Sequence, residues 1–239
     1  MKNSWRNKKQ TGFLVRGPGR YLHRERLGCI IDALDRISGA GKVRKTLVDL
    51  GCGEAVITGS LDAGRYRLYG VDADINRLRV ALRNGHDARV SFINADILAP
   101  SIRDASADVV ILHHVIEHLE GADVAALQIC RRLLLPGGYL IVGIPNEGSH
   151  PGRMMRGLHR GLYEKGEHVN FYSERDILAL LERSGFSVES VARIGFLIPV
   201  FYIHMAFLGI KPVFYFLNMM TQLFKHTADS LIVVCRKGA

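Results

Sequence analysis

An open α/β sheet with helices on both faces is the fold class this sequence predicts, and three observations carry it. Short apolar runs recur with acids just past their ends, at Asp49, Asp72 and Asp96. Segments of helical spacing separate these runs. The first run opens into the glycine turn Gly51-Cys52-Gly53, where the missing Cβ atoms let backbone N–H groups approach a ligand. Ligands of open α/β sheets bind outside the carboxyl ends of the strands, where these acids fall.

The chain has 239 residues, 48% hydrophobic and 23% charged, enough for one large domain and short for two. Residues 1–20 read as a basic flexible arm, with Lys2, Arg6, Lys8, Lys9 and Arg16, and residues 21–239 as a single domain. Tyr21 to Ser38 is a helix, with Leu22, Leu27, Ile30, Ile31, Leu34 and Ile37 in step. Thr46 to Val48 is the apolar run of the first strand, which stops at Asp49, and Ala55 to Leu61 is the start of a helix. Leu68 to Asp72 is the second strand, after which Asp74 caps a helix running from Ile75 to Asn84. Val90 to Ile93, Asp108 to Leu112 and Tyr139 to Ile144 are the next three strands, and a helix over Val124 to Leu135 is stopped by Pro136-Gly137-Gly138. Gly157 to Gly166 is a basic loop. Ser173, with Asp176 in the box position, caps a helix reaching Ser184. Phe186 to Val191 and Ser230 to Cys235 complete seven strands.

A formal charge of +9 favours anionic surroundings, whether phosphate, nucleic acid or lipid headgroups; a merely solubilising surface is the plainer reading. Cys29, Cys52, Cys130 and Cys235 form no C-x-x-C pair, which argues for reduced thiols in a cytoplasmic protein and against a disulfide frame or zinc cluster. The basic N-terminus lacks the apolar stretch of a secretory signal.

The glycine turn suits two classes of cofactor. A dinucleotide site wants G-x-G-x-x-G, but Val56 stands at the third glycine and Asp49 would repel a pyrophosphate. A positively charged cofactor without phosphate meets no such repulsion. The block from Asp49 to Ala55 resembles motif I of class I S-adenosylmethionine-dependent methyltransferases, with Ala55 where the last glycine usually stands. The H-x-x-E-H run from His114 to His118, the L-x-P-G-G run ending at Gly138 and the Pro145-Asn146 pair extend the resemblance from Thr46 to Asn146. Arg26-Leu27-Gly28-Cys29-Ile30 and Glu117-His118 are similar to the O-methyltransferases of ubiquinone biosynthesis, within the methyltransferase type 11/12 group.

This resemblance implies a Rossmann-like sheet of seven strands and S-adenosyl-L-methionine as methyl donor. It implies a cofactor site of Arg26, Asp49, Gly51, Cys52, Gly53, Asp72 with Ala73, Asp96 with Ile97, and His113. By it, Asp49 and the glycine turn flank the methionine portion, Asp72 binds the ribose hydroxyls, Asp96 lies near the adenine amine, and His113 faces the cofactor. A hydroxyl acceptor needs a base, since a phenol ionises near a pKa of about 10; His118 and His168 are the candidates. His114, Glu117 and His118 fall at i, i+3 and i+4, where one helical turn points them the same way. They are candidate metal ligands, with a divalent ion kept as the lesser reading.

Ile194 to Phe224 is almost wholly apolar, broken by Pro199, His204, Lys211 and Pro212. Three readings compete: an apolar lid or in-plane membrane contact, an oligomer interface, and a hairpin through the bilayer, where each span takes about 20 residues. The expected acceptor is a small molecule, a hydroxyl of an apolar or lipid-linked substrate met at the inner face of the membrane. The alternatives are a binding module that keeps the fold without catalysis, and a methyltransferase acting on a sugar or on nucleic acid. Nucleic acid is disfavoured, because the fourth strand ends in Leu112-His113-His114 and lacks an N-P-P-Y-type block.

Overall fold

The computed structural model describes residues 17, 19–39, 43–86, 90–159, 168–198 and 200–238. Most of the expected basic arm, and Arg160 and Lys165 of the basic loop, lie outside them. In chain order come α1 (Arg20–Ser38), β1 (Lys45–Leu50), β2 (Tyr66–Asp72), α2 (Ile75–Arg83), β3 (Val90–Asn94), β4 (Ala107–His113), α3 (Asp123–Leu133) and β5 (Leu134–Pro145). They are followed by α4 (His150–Leu158), α5 (Glu174–Arg183), β6 (Phe186–Phe196), α6 (Phe201–Leu208), α7 (Lys211–Leu223) and β7 (Ala228–Lys237).

The strands form one seven-stranded sheet in the order β3-β2-β1-β4-β5-β7-β6. β1 to β5 pair in parallel, and β7 runs antiparallel to both β5 and β6. The strand order reverses between β1 and β4, the switch point where such sheets open a crevice. Parallel strands are buried on both faces and therefore read as continuous apolar runs. Leu47, Val109 and Ile111 pack with Leu22 and Ile30 of α1, Leu208 of α6 and Phe214 of α7. On the opposite face, Val48, Val110 and Leu112 pack with Leu127 and Leu133 of α3 and Ile177 and Leu181 of α5.

Local signals set several boundaries. The Asp74 side chain accepts Asn76 N–H at 2.8 Å to start α2, and Ser173 and Asp176 form a reciprocal capping box at α5. The helix expected from Ala55 is reduced to a 3-10 turn over Thr58–Ser60, because Ala55 has a φ of 57°, outside helical geometry. α3 ends at Leu133, two residues short of expectation, because β5 begins at Leu134 and takes in Pro136 and both glycines. α4, which no periodic pattern announced, is capped by Ser149, whose hydroxyl accepts Gly152 N–H at 3.2 Å.

The apolar segment becomes the end of β6 plus α6 and α7. These helices have 8 and 13 residues, about 12 and 20 Å in length, and no helix among the described residues is long and apolar enough to cross a membrane. The bilayer hairpin is thereby set aside. Polar pins dock the pair: Gly195 N–H donates to Asn218 Oδ1 at 2.7 Å, and the Thr221 hydroxyl donates to Gly195 O at 2.9 Å. α7 is apolar on both sides. Phe214 is 2% exposed and faces the core, while Phe216, Met219 and Leu223 are 58%, 60% and 74% exposed.

This asymmetry gives an expected outcome. Phe214→Ala empties a core position and costs about 3–5 kcal/mol, whereas Phe216→Ala, on the outer side of the same helix, stays within about 0.5 kcal/mol of the parent. Urea unfolding of both variants checks it; equal losses would mean that α7 does not sit on the sheet through its Phe214 side.

Candidate active site

The carboxyl ends of β1 and β2 are tied together by the glycine turn. Gly51 and Cys52 donate their N–H groups to Val71 O at 2.7 and 2.9 Å, and Gly53 N–H donates to Asp72 Oδ2 at 2.7 Å. Gly51 has a φ of 77°, and a Cβ there would lie 2.4 Å from Val115 Cγ2; no other residue fits. Asp72 is 8% exposed and takes Asp74 N–H on its other oxygen at 2.8 Å, so backbone donors orient the carboxylate with lone pairs left for hydroxyls. Asp49 is 3% exposed and accepts the Thr58 hydroxyl. Burial pushes its pKa up to about 7; the Thr58 bond opposes this and the nearby Asp72 charge adds to it. A buried carboxylate held by one hydroxyl suits a cationic ligand.

At the end of β4, Gly143 of β5 makes room for His113, since a Cβ on Gly143 would lie 2.2 Å from His113 Cδ2. Burial holds the pKa values of His113 and His114 well below the usual histidine range, so both rings are neutral near pH 7. His114 has a φ of 54°, and its Nδ1 shares a 2.9 Å hydrogen bond with Glu117, which is fully buried. A 3-10 turn spans Ile116–His118. The α-helical turn expected to align His114, Glu117 and His118 is therefore not formed; His114 meets Glu117 through Nδ1 but does not enter the group of possible ligand atoms that Glu117 and His118 join.

His168 takes its place. The Glu117 carbonyl accepts N–H from Val169 and Asn170 at 2.9 and 3.0 Å, and Asn170 Nδ2 donates to the carbonyls of Ile116 and Leu119 at 3.1 and 2.7 Å. These bonds staple the H-V-N segment to the 3-10 turn and set the His118 and His168 rings edge to face, 4.8 Å between centroids. Glu117, His118 and His168 offer ligand atoms all within 4.8 Å of one another. His168 Nδ1 also pairs with Glu147 Oε2 at 2.9 Å, which fixes Nε2 as its basic nitrogen. Glu147 was not foreseen: its partner lies 21 residues away, and it carries no motif.

The remaining expected residues divide. Asp96 is exposed with its Oδ1 on Leu98 N–H at 2.9 Å, Ile97 is buried, and Ala73 is exposed with its carbonyl on Asn94 Nδ2 at 3.0 Å; all three lie past β2 and β3. Cys52 packs beside Gly70, where a Cβ would meet its Sγ at 2.8 Å. Arg26, 7% exposed, donates to Asp229 Oδ1 at 3.1 Å and to the Ser230 hydroxyl at the start of β7. Its Nε and His113 Nε2 are buried without partners among the described residues, which fits a ligand that carries a carboxylate or other polar end. Burial raises the Asp229 pKa, but the His204 hydrogen bond and the His204 and Arg26 charges outweigh it and bring it to about 2. His204 Nε2 lies 2.9 Å from Asp229 Oδ2, so α6 borders this edge of the site.

A family model for a methyltransferase domain matches residues 21–191. A ubiquinone biosynthesis O-methyltransferase of Cupriavidus pinatubonensis is 32% identical over 111 residues, covering 45% of this chain and 44% of that protein. The protein of the same name from Nitrosomonas europaea is 29% identical over 172 residues, covering 67% of this chain and 70% of that one. The chain spans about half the length of most of the curated relatives it matches. Among solved structures, the magnesium protoporphyrin IX methyltransferase of Synechocystis PCC 6803 superposes with a TM-score of 0.72 at 15% identity, covering 99% of this chain and 96% of that chain; at this identity the likeness is one of fold.

The Asp49 environment sets a pH dependence. Its pKa is 3.8 in the unfolded reference and about 7 folded, so between about pH 4 and 7 the folded state keeps a proton that the unfolded chain releases. Stability on this account falls as pH rises through that window, by at most about 4 kcal/mol. Asp49→Asn removes this slope, and the variant gains on the parent in thermal midpoint from pH 5 to 8. Parallel midpoint curves would refute the assignment.

Proposed function

Because the chain belongs to the methyltransferase domain family, we propose that it transfers the methyl group of S-adenosylmethionine to a hydroxyl of an apolar, lipid-linked acceptor. The observation that carries this reading is the Glu147–His168–His118 arrangement, built on the segments that follow the β4 and β5 strand ends. When bound, S-adenosylmethionine supplies a sulfonium-linked methyl. Asp49 and the Gly51–Gly53 backbone would hold its methionine portion, Arg26 and His113 its polar end, and Asp72 its ribose hydroxyls, while Asp96 and Ile97 border the adenine. A cation bound alongside favours the ionised form of Asp49, because that charge offsets the burial that raises its pKa.

The chain's own residues then handle the acceptor. Glu147 accepts the Nδ1 proton of His168, leaving Nε2 to take the hydroxyl proton as the oxygen attacks. His118 packs against the His168 ring and limits its rotation. Holding the nucleophile in line is the larger part of such a reaction. A second reading rests on the convergence of Glu117, His118 and His168: a divalent ion there would acidify a bound hydroxyl.

Calorimetry and single-turnover assays separate these roles. Asp72→Ala weakens S-adenosylmethionine binding by about 1.5–3 kcal/mol. His168→Ala keeps that affinity and lowers turnover by roughly 10²–10⁴-fold, and Glu147→Gln does so by less while shifting the pH profile. Unchanged cofactor affinity in the Asp72 variant, or full turnover in the His168 variant, would sink the corresponding assignment. Turnover lost on chelation and restored by one ion would favour the metal reading.

The acceptor class is supported by the outer face of α6 and α7. Ile203, Phe207 and Ile210 are exposed as are Phe216, Met219 and Leu223, and so are Lys211 and Lys225 of the same segment. An in-plane contact with anionic lipid satisfies both, each nearby lysine adding about 1 kcal/mol, in a protein working at the cytoplasmic face of a membrane. The triple change Phe216→Glu, Met219→Glu and Leu223→Glu abolishes flotation with anionic liposomes while the fold stays intact by circular dichroism. Equal flotation rules the contact out; a shift from dimer to monomer would mark the face as an oligomer interface.

A further inference from the structure

A groove of about 610 Å³ opens beyond the carboxyl end of β5, between α4, α5 and the Lys225–Thr227 turn. The methyl-transfer reading does not use it. Its volume lies in the range of small-molecule sites. The first turns of α4 and α5 both face it, through His150 and Arg175, so two helix N-termini with their positive dipole ends converge on one space. His226 closes the third side.

The acids nearby cancel this field only in part. Glu174 spends both carboxylate oxygens on Arg193, with Nε at 2.7 Å. Asp176, held in the capping box with Ser173, keeps its charge and offsets part of the α5 dipole. Glu182 lines the far end of the groove, about two turns or roughly 11 Å beyond Arg175.

Asn146 forms part of the wall and is 1% exposed. Its Nδ2 donates to Ala228 O at 3.0 Å, and its Oδ1 is buried without a partner among the described residues. A buried acceptor left bare is destabilising, so the natural occupant brings an O–H or N–H to it. Simple inorganic anions lack a donor placed apart from their charge.

We propose that this groove binds a small hydroxylated anion, such as a polyol phosphomonoester or the headgroup of a hydroxylated phospholipid. The anionic group sits at the α4 and α5 N-termini with Arg175, and a hydroxyl reaches Asn146 Oδ1. Asn146 immediately precedes Glu147, so an occupant lies one residue from the partner of His168.

The test is calorimetry on the full chain with glycerol 3-phosphate, inorganic phosphate, glycerol and dihexanoyl phosphatidylglycerol. Glycerol 3-phosphate binds at least about tenfold more tightly than phosphate, and glycerol alone gives no heat. Tighter binding of the short-chain lipid identifies a headgroup as the source, and preference for the soluble ester identifies a free metabolite; either supports the site. Arg175→Glu, on the surface, lowers the affinity at least about tenfold. Asn146→Leu removes the preference over phosphate, and where that variant does not fold, His226→Glu replaces it and weakens binding. No heat with any anion, equal affinity for phosphate and its glycerol ester, or unchanged binding in Arg175→Glu overturns the proposal. S-adenosylmethionine affinity, read on the same samples, reports separately on the methyl-transfer reading.

Discussion

Charge buried along one edge of the sheet is the constraint to which the rest of the molecule answers. Arg26, Asp49, Asp72 and Glu117 are all 8% exposed or less, and they stand with Asp229 at or beside the carboxyl ends of the parallel strands. Each needs a partner, since an unpaired buried charge costs far more than a surface one. The fold supplies partners from distant segments: Thr58 for Asp49, the backbone of Gly53 and Asp74 for Asp72, and Asp229 and Ser230 for Arg26. Glu117 keeps one buried oxygen without a partner among the described residues.

The Arg26–Asp229–His204 chain links three elements that sequence order keeps apart. α1 precedes the first strand, β7 is the last strand, and α6 belongs to the apolar segment between β6 and β7. Through these side chains, and through Asn218 and Thr221 on Gly195, the segment is fixed to the same face of the sheet as α1. Its outer apolar line follows from that docking. One side of α7 is used by the core, and the other is covered by nothing among the described residues.

Much of the sheet was legible because parallel strands buried on both faces leave uninterrupted apolar runs, and acids at their ends mark the edge. Asp74 and the Ser173–Asp176 box were legible because caps act within a single turn. The helix after Ala55 was misjudged because a left-handed alanine looks like any other in the sequence. His114, Glu117 and His118 have perfect helical spacing, but the backbone at His114 takes a positive φ and the spacing loses its meaning. Glu147 and Asn170 were invisible for another reason: their partners lie 21 and 51 or more residues away, and only the folded chain brings them near. α6 gave a flat signal, since apolar residues on every side cancel any periodicity.

β7 lies between β5 and β6, and β6 reaches the rest of the sheet through it. In a chain made from its amino end, β6, α6 and α7 all leave the ribosome before the strand that joins them to the sheet. For that interval α7 has, besides α6, only α1 and a β6 not yet joined to the sheet to settle on. At roughly 5–20 residues per second, β7 follows within seconds, and the half-sheet of β1 to β5 is already available as its template. A strand arriving late between two waiting edges leaves both of them unpaired while the chain is being made, an exposure that the finished fold does not display.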